Sequence, residues 1–512
     1  MRIKPLPLIV GIMALFLYSC DIFIGGGGGY DGQSRIFRAQ NTVTGNYYNV
    51  PAKLLYVGEK CNIWGEIASH VSQSTAHDMA VAYDEIIYPR MMEAFNSGET
   101  FTEGDRVLQD PMELADYYGD GDGKLLILLL DIKDDYNKIT NKSYVAGYFD
   151  PNNLYSRKSF LNSNECDMIY VDTNPGVPGS DQSNGTLAHE MQHLMNFAIT
   201  LAKRAQRNSN NQITSLNQMD TWIDEGLSTA AEWVWNGTQA QDRVDWYGND
   251  PTDWIKKGNN FYVWGNHTSG AGGDTDAVLD DYATDYLFFQ WIRLQAGDTD
   301  IYKKIIYSTL SDYRAVTTAA GQAISSDYST NWSLLLRDWL AANYINAPSG
   351  IYGYKNDPTL SQIGARFLSG SAGKDYSLAP GEGIYTQKTS MPTATANIKY
   401  AGLPARGSGA GPNDTSASGS SALLSYNTDT NTSKYSSSSP CNPFSTETVQ
   451  SQEIQSDTGV SMASRSMSQG QRWRPSGPFP ISAGDVFRRN GGEGLPGVDL
   501  PKLLHGGNET DE

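Results

Sequence analysis

The stretch TLAHEMQHLMNF, Thr186 to Phe197, holds two of the chain's six histidines, four positions apart, with a glutamate directly after the first. Such spacing has a chemical meaning only on a helix. At 3.6 residues per turn, His189 and His193 fall one turn apart on the same face, so both imidazoles reach one ion. Glu190 is rotated about a quarter-turn from His189, which sets its carboxylate beside the ion rather than on it. The neighbours Leu187, Ala188, Met191, Gln192, Leu194 and Met195 carry no charge, as a helix packed beneath a site requires. The alternative is a helix whose histidines are four apart by coincidence.

A catalytic zinc usually keeps three protein ligands and an open position, so a third ligand is expected. The extended pattern with a further Gly and His is absent: Asn196 and Ile199 stand in those places. The next candidates lie in TWIDEGLSTAAEW (221–233), where Glu225 precedes Gly226 and a helix follows, with Ala230 and Ala231 small enough for close packing. Glu232 lies seven residues on, on the same face, and reads either as a support for the ligands or as a surface glutamate. Zinc lowers the pKa of a bound water, and Glu190 is placed to accept its proton as it attacks a carbonyl.

H-E-x-x-H followed by W-x-x-E-G resembles the glutamate-zincins, and more specifically the hyicolysin family of secreted bacterial metallopeptidases. The resemblance covers roughly residues 50 to 345 and takes in LLYVGEKCNIW, DGDGKLLILLLDI, VAGYF, MIYVDT, TLAHEMQHLMNF, TWIDEGLSTAAE and DYATDYLFFQWI. It implies an α+β zincin domain with a mixed sheet over the H-E-x-x-H helix. It also implies zinc held by His189, His193 and Glu225, and a protein or peptide substrate. Two departures stand out. Thr229 occupies the position where the thermolysin type has an Asp four residues after the ligand glutamate. A G-x-M-E-N exopeptidase motif is absent, which favours cleavage within chains. Tyr282 is the expected oxyanion donor; Tyr286, in the same stretch, and His267 are the other candidates, and core packing is the alternative for the tyrosines.

Around this centre, LLILLLDI (125–132) reads as a buried central strand, SYVAGYF (143–149) and MIYVDT (168–173) as two more, and AHDMAVAYDEIIYPRMMEAF as an amphipathic helix. The DGDG at 120–123 reads as a turn, lacking the spaced carboxylates and closing glutamate of a full calcium loop. Cys61 and Cys166 are either a disulfide or two buried thiols.

Residues 1–20 read as a signal peptide, a basic start and an apolar run ending in Leu-Tyr-Ser-Cys, which resembles a lipobox with Cys20 as the lipidated residue. The alternatives are an ordinary cleaved signal and a retained anchor helix. A Gly-rich tether (21–34), a zinc metallopeptidase domain (35–345), a small β module (346–402) and a low-complexity, mostly disordered region (403–512) complete the expected organisation. A formal net charge of -19 argues against nucleic acid as a partner. The sequence therefore points to an exported zinc endopeptidase, lipid-anchored in the bacterial envelope or released from it. Its rival is a non-catalytic zinc-binding surface lipoprotein or adhesin on the same fold.

Overall fold

In the computed structural model the described residues are 33–139, 143–209, 213–258, 261–265, 278–365, 375–387 and 390–431, with short strands at 448–450 and 472–474. Cys20, Cys441, His267 and residues 21–32 of the expected tether lie outside them, as does most of the C-terminal region; Ser34 already belongs to the first strand.

A six-stranded mixed sheet forms the platform. Its strands are β1 (Ser34–Gln40), β2 (Tyr47–Val57), β3 (Cys61–Glu66), β4 (Leu125–Leu130), β5 (Gly147–Phe149) and β6 (Met168–Asp172), in the order β1-β2-β3-β4-β6-β5. β3, β4 and β6 run parallel, in register Cys61↔Leu125 and Leu126↔Met168; the other pairs are antiparallel. The run LLILLL has no polar residue because both of its faces are covered. Leu125, Ile127 and Leu129 pack with the helices, and Leu126, Leu128 and Leu130 pack under the β1–β2 hairpin with Phe37 and Val50.

The same alternation separates the two cysteines. Cys61 belongs to the helix-side core and Cys166 to the hairpin-side core, so both are free, buried thiols and no disulfide joins them.

The first helical segment is α1 (Gln73–Ala82) and α2 (Tyr88–Phe95), joined by a π turn at Tyr83–Ile87. Pro89 cannot donate to the carbonyl four residues back, and the chain loosens just before it. α3 (Pro111–Tyr118) starts on Asp110, whose side chain accepts the Met112 and Glu113 N–H groups. The long helices follow: α4 (Asp181–Ile199), α5 (Thr221–Val234), α6 (Gln241–Asn249) and α7 (Val278–Ala296). α4 is capped by Ser180 and is buried from Ser183 to Ile199, which is why so few of its residues are charged.

The last catalytic-region helix, α8 (Trp332–Ile345), carries the small β module. That module is a three-stranded antiparallel sheet of β7 (Gly383–Thr386), β8 (Ile398–Leu403) and β9 (Ala422–Asn427), with β9 in the centre. It extends past the boundary expected at 402, because β8 pairs along its length with β9. One face closes over its own small cluster of Leu378, Ile384, Ile398 and Leu423. The other, with Tyr385, Leu403, Leu424 and Tyr426, is continuous with the core of the helical region. Tyr385 donates its hydroxyl to the Leu340 carbonyl at 2.7 Å and stacks near Tyr344.

Candidate metal centre

The helix predicted around Thr186 places both imidazoles where the spacing requires. His189 Nε2 and His193 Nε2 face each other at 3.2 Å. The third element is α5, which packs lengthwise on α4, and Glu225 lies inside this helix rather than ahead of it. Glu225 Oε2 is 3.5 Å from each Nε2 and makes no hydrogen bond of its own.

These three separations suit zinc. Bonds of about 2.0–2.1 Å in a tetrahedron set ligand atoms about 3.3–3.4 Å apart, and two nitrogens with one carboxylate oxygen are the donors zinc takes. The electrostatics agree. Burial opposes charging His189, but Glu225 and Glu232 outweigh it and raise the imidazole above its ordinary range. Asp224 and Glu225 do the same for His193 against its burial. Burial raises Glu225 in turn, and the two imidazoles overcome it and hold the carboxyl at about 2. The pocket is built to hold positive charge.

The outward-facing nitrogens are each fixed by an acid. His189 Nδ1 meets Glu232 Oε1 at 3.0 Å, and Glu232 is gripped by Arg243 through Nη2 at 2.7 Å and Nε at 3.1 Å. His193 Nδ1 meets Asp224 Oδ2 at 3.1 Å and Ser228 Oγ at 3.1 Å. Carboxylates on the outer nitrogens orient the rings and turn both Nε2 atoms inward. Glu232 is therefore a buried partner of the ligands and not a surface residue. Thr229, where the thermolysin type has its Asp, is occupied within its own helix, donating to the Gly226 carbonyl at 3.0 Å. The ring-orienting acid comes from Glu232, three residues further on.

Gly226 explains the E-G pair. A Cβ there would come within 2.1 Å of the Phe289 ring and 2.8 Å of Asp285 Oδ2, so only glycine lets α5 lie this close to α7.

Tyr282, on α7, enters the site. Its ring centre is 6.2 Å from that of His189, and the Arg243 guanidinium lies over it at 5.1 Å. Burial, then the Glu225 charge, raises its phenol far above the ordinary range, so it stays a neutral donor. Tyr286 does not enter. One turn further along, it donates to Gln239 Oε1 at 2.5 Å and accepts the Ala240 N–H at 2.9 Å, tying the start of α6. Glu190 is fully buried under β5, where Gly147 leaves no side chain between strand and helix; a Cβ there would sit 2.7 Å from Thr186 and 3.5 Å from Glu190 Cγ. His70 and His77 are exposed and remote in role.

Sequence reasoning missed Asp224, Ser228 and Arg243. Asp224 and Ser228 do carry a weak signal, one helical turn apart on α5 and flanking Glu225. Arg243 carries none, because it comes from a separate helix.

No protein-family model matches the chain. Over 342 residues it is 29% identical to the neutral metalloprotease ShpI of Staphylococcus hyicus, an alignment that takes in 64% of this chain and 66% of that protein. That match and the three-ligand cluster together bear out the resemblance to the hyicolysin family of zinc metallopeptidases.

Proposed function

We propose that this chain is an exported, lipid-anchored zinc endopeptidase in which Glu190 is the general base. The observation that carries the reading is Glu190 itself: a buried carboxylate next to His189, on the helix that supplies two ligands, but not among the three that converge. A site that holds zinc only for structure needs ligands and a closed shell of four, not a base.

Zinc, when bound, supplies Lewis acidity that polarises the scissile carbonyl and makes water a better acid. The chain's own residues do the rest. Glu190 takes a proton from the attacking water and delivers it to the departing amine. The Tyr282 hydroxyl donates to the oxygen on which negative charge develops. Glu232 with Arg243, and Asp224 with Ser228, hold the imidazoles in place. β5 ends the sheet directly above Glu190, and among the described residues no strand pairs with its outer edge, whose main-chain groups would suit an extended peptide.

Anchoring rests on the N-terminal segment, since no described helix is long and apolar enough to cross a membrane. Uptake of labelled fatty acid by the wild type, and its loss in Cys20→Ala, tests that part. The activity is tested by incubating purified protein with an unfolded protein, with and without a zinc chelator, and sequencing the fragments. Chelator-sensitive internal cleavage is the expected result. A zinc-loaded chain that cuts nothing would put the non-catalytic lipoprotein reading ahead.

A further inference from the structure

A second group of acids lies at the other end of the parallel strands, where β3, β4 and β6 begin. Asp116 sits in the last turn of α3, Asp120 and Asp122 are in the loop that leads to β4, and their carboxylate oxygens lie within 4.8 Å of one another. Asp116 Oδ1 accepts the Gly123 N–H and Asp122 Oδ1 the Lys124 N–H, both at 2.8 Å, which folds the loop back on the helix end.

Two buried groups from elsewhere in the chain point to what this arrangement holds. Asp167, the residue before β6, is 1% exposed, and its Oδ1 has no hydrogen-bond partner. This oxygen is pressed against the loop: a Cβ on Gly119 would come within 2.5 Å of it. Asn62, on β3, donates through Nδ2 to Asp122 Oδ2 at 3.1 Å, while its own Oδ1 is buried without a partner. Nearby cations make hydrogen bonds to backbone carbonyls. Arg35 donates to the Asn164 carbonyl and Lys124 to the Gly58 carbonyl, each at 2.5 Å.

We propose that this loop is a calcium site, with Asp116, Asp120, Asp122 and Asp167 as carboxylate ligands and Asn62 Oδ1 as a neutral one. All five donors are oxygen, which suits a hard cation and not zinc, and the mixture of acids with an amide carbonyl on a pliable loop suits calcium over magnesium. Bound there, calcium joins the end of α3 to the starts of three strands. It neutralises the mutual repulsion of the acids and fixes the strand that leads into α4.

The test uses the full chain, kept zinc-loaded in calcium-free buffer and melted with and without about 1 mM calcium, the range in which extracellular calcium modules bind. Calcium should raise the unfolding midpoint of the wild type by roughly 2–5 °C. In the double variant Asp120→Asn/Asp122→Asn the increment should vanish, while its calcium-free midpoint should equal or exceed that of the wild type because repulsion is relieved. Glu225→Ala should keep the increment, which separates this site from the zinc centre. No shift in the wild type, an equal shift in the double variant, or an equal shift with magnesium would each overturn the assignment.

Discussion

The two acid-rich ends of the sheet are held in different ways. At the zinc end the three converging side chains and the acids that orient the rings stand on helices and are paired: Glu232 between His189 and Arg243, Asp224 on His193, Glu225 between the two imidazoles. At the loop end Asp116, Asp120 and Asp122 lie within 4.8 Å of one another beside the buried Asp167, and they accept hydrogen bonds from the Gly123 and Lys124 N–H groups and the Asn62 amide. The first end is organised before any ion arrives, and the ion adds chemistry. The second is a set of like charges that an ion would have to reconcile. Rigidity at one end and repulsion at the other make opposite predictions for the removal of a single acid.

Glu190→Gln should give the largest effect at the zinc end. The amide cannot accept a proton, so activity should fall by about 10²–10⁴ while zinc content and melting temperature match the wild type. Cleavage at the wild-type rate would end the assignment of Glu190 as base. Tyr282→Phe should lower kcat by roughly 10²–10³ with little change in KM, as loss of an oxyanion donor does; steady-state kinetics on one peptide decides it, and an effect confined to KM counts against it. Glu232→Ala should weaken zinc binding by about 10–100-fold, the usual loss when a group orienting a ligand histidine is removed. Glu225→Ala should lose the metal outright. Competition with a chromophoric chelator measures both, and the reverse ranking would exchange their roles.

The smaller effects concern packing. Gly226→Ala forces a methyl to within 2.1 Å of the Phe289 ring, and should destabilise the fold by about 1–3 kcal/mol in denaturant unfolding. An unchanged midpoint would mean that α5 and α7 can separate freely. Thr229→Val should cost less than about 1 kcal/mol and leave zinc content untouched, since the hydroxyl serves only its own helix. Loss of zinc in that variant would show that Thr229 does take the part of the missing acid.

What the sequence discloses follows the same divide. His189, Glu190 and His193 can be read directly because helical period converts a spacing of four into one face, and LLILLL is readable because a strand covered on both sides leaves no polar position. Arg243 cannot be read, since nothing in QDRVDW marks it as the clamp on an acid from another helix. The calcium ligands stand at 62, 116–122 and 167, three places that only the sheet brings together, and so DGDG reads alone as a turn. The free thiols follow from strand alternation in three dimensions: Cys61 and Cys166 face opposite sides of one sheet. β9 is hidden by the Gly- and Ser-rich stretch before it, a composition that normally signals the end of a folded region.

That central strand has a consequence for where the chain can be cut. Because the inner face of the β7–β9 sheet is continuous with the core around α8, and Tyr385 is bonded to Leu340, the C-terminal strands are a wall of the catalytic body rather than an appendage to it. Just beyond β9 the chain still contributes, since the Thr428 N–H donates to the Asn397 carbonyl at 2.9 Å and the Tyr262 hydroxyl to the Thr430 carbonyl at 3.3 Å. A cut on the N-terminal side of β9 would remove the strand on which β7 and β8 both hang and bare the flank of α8 to water. A cut that spares this body therefore has to fall on the C-terminal side of β9, beyond the strand on which the module is built.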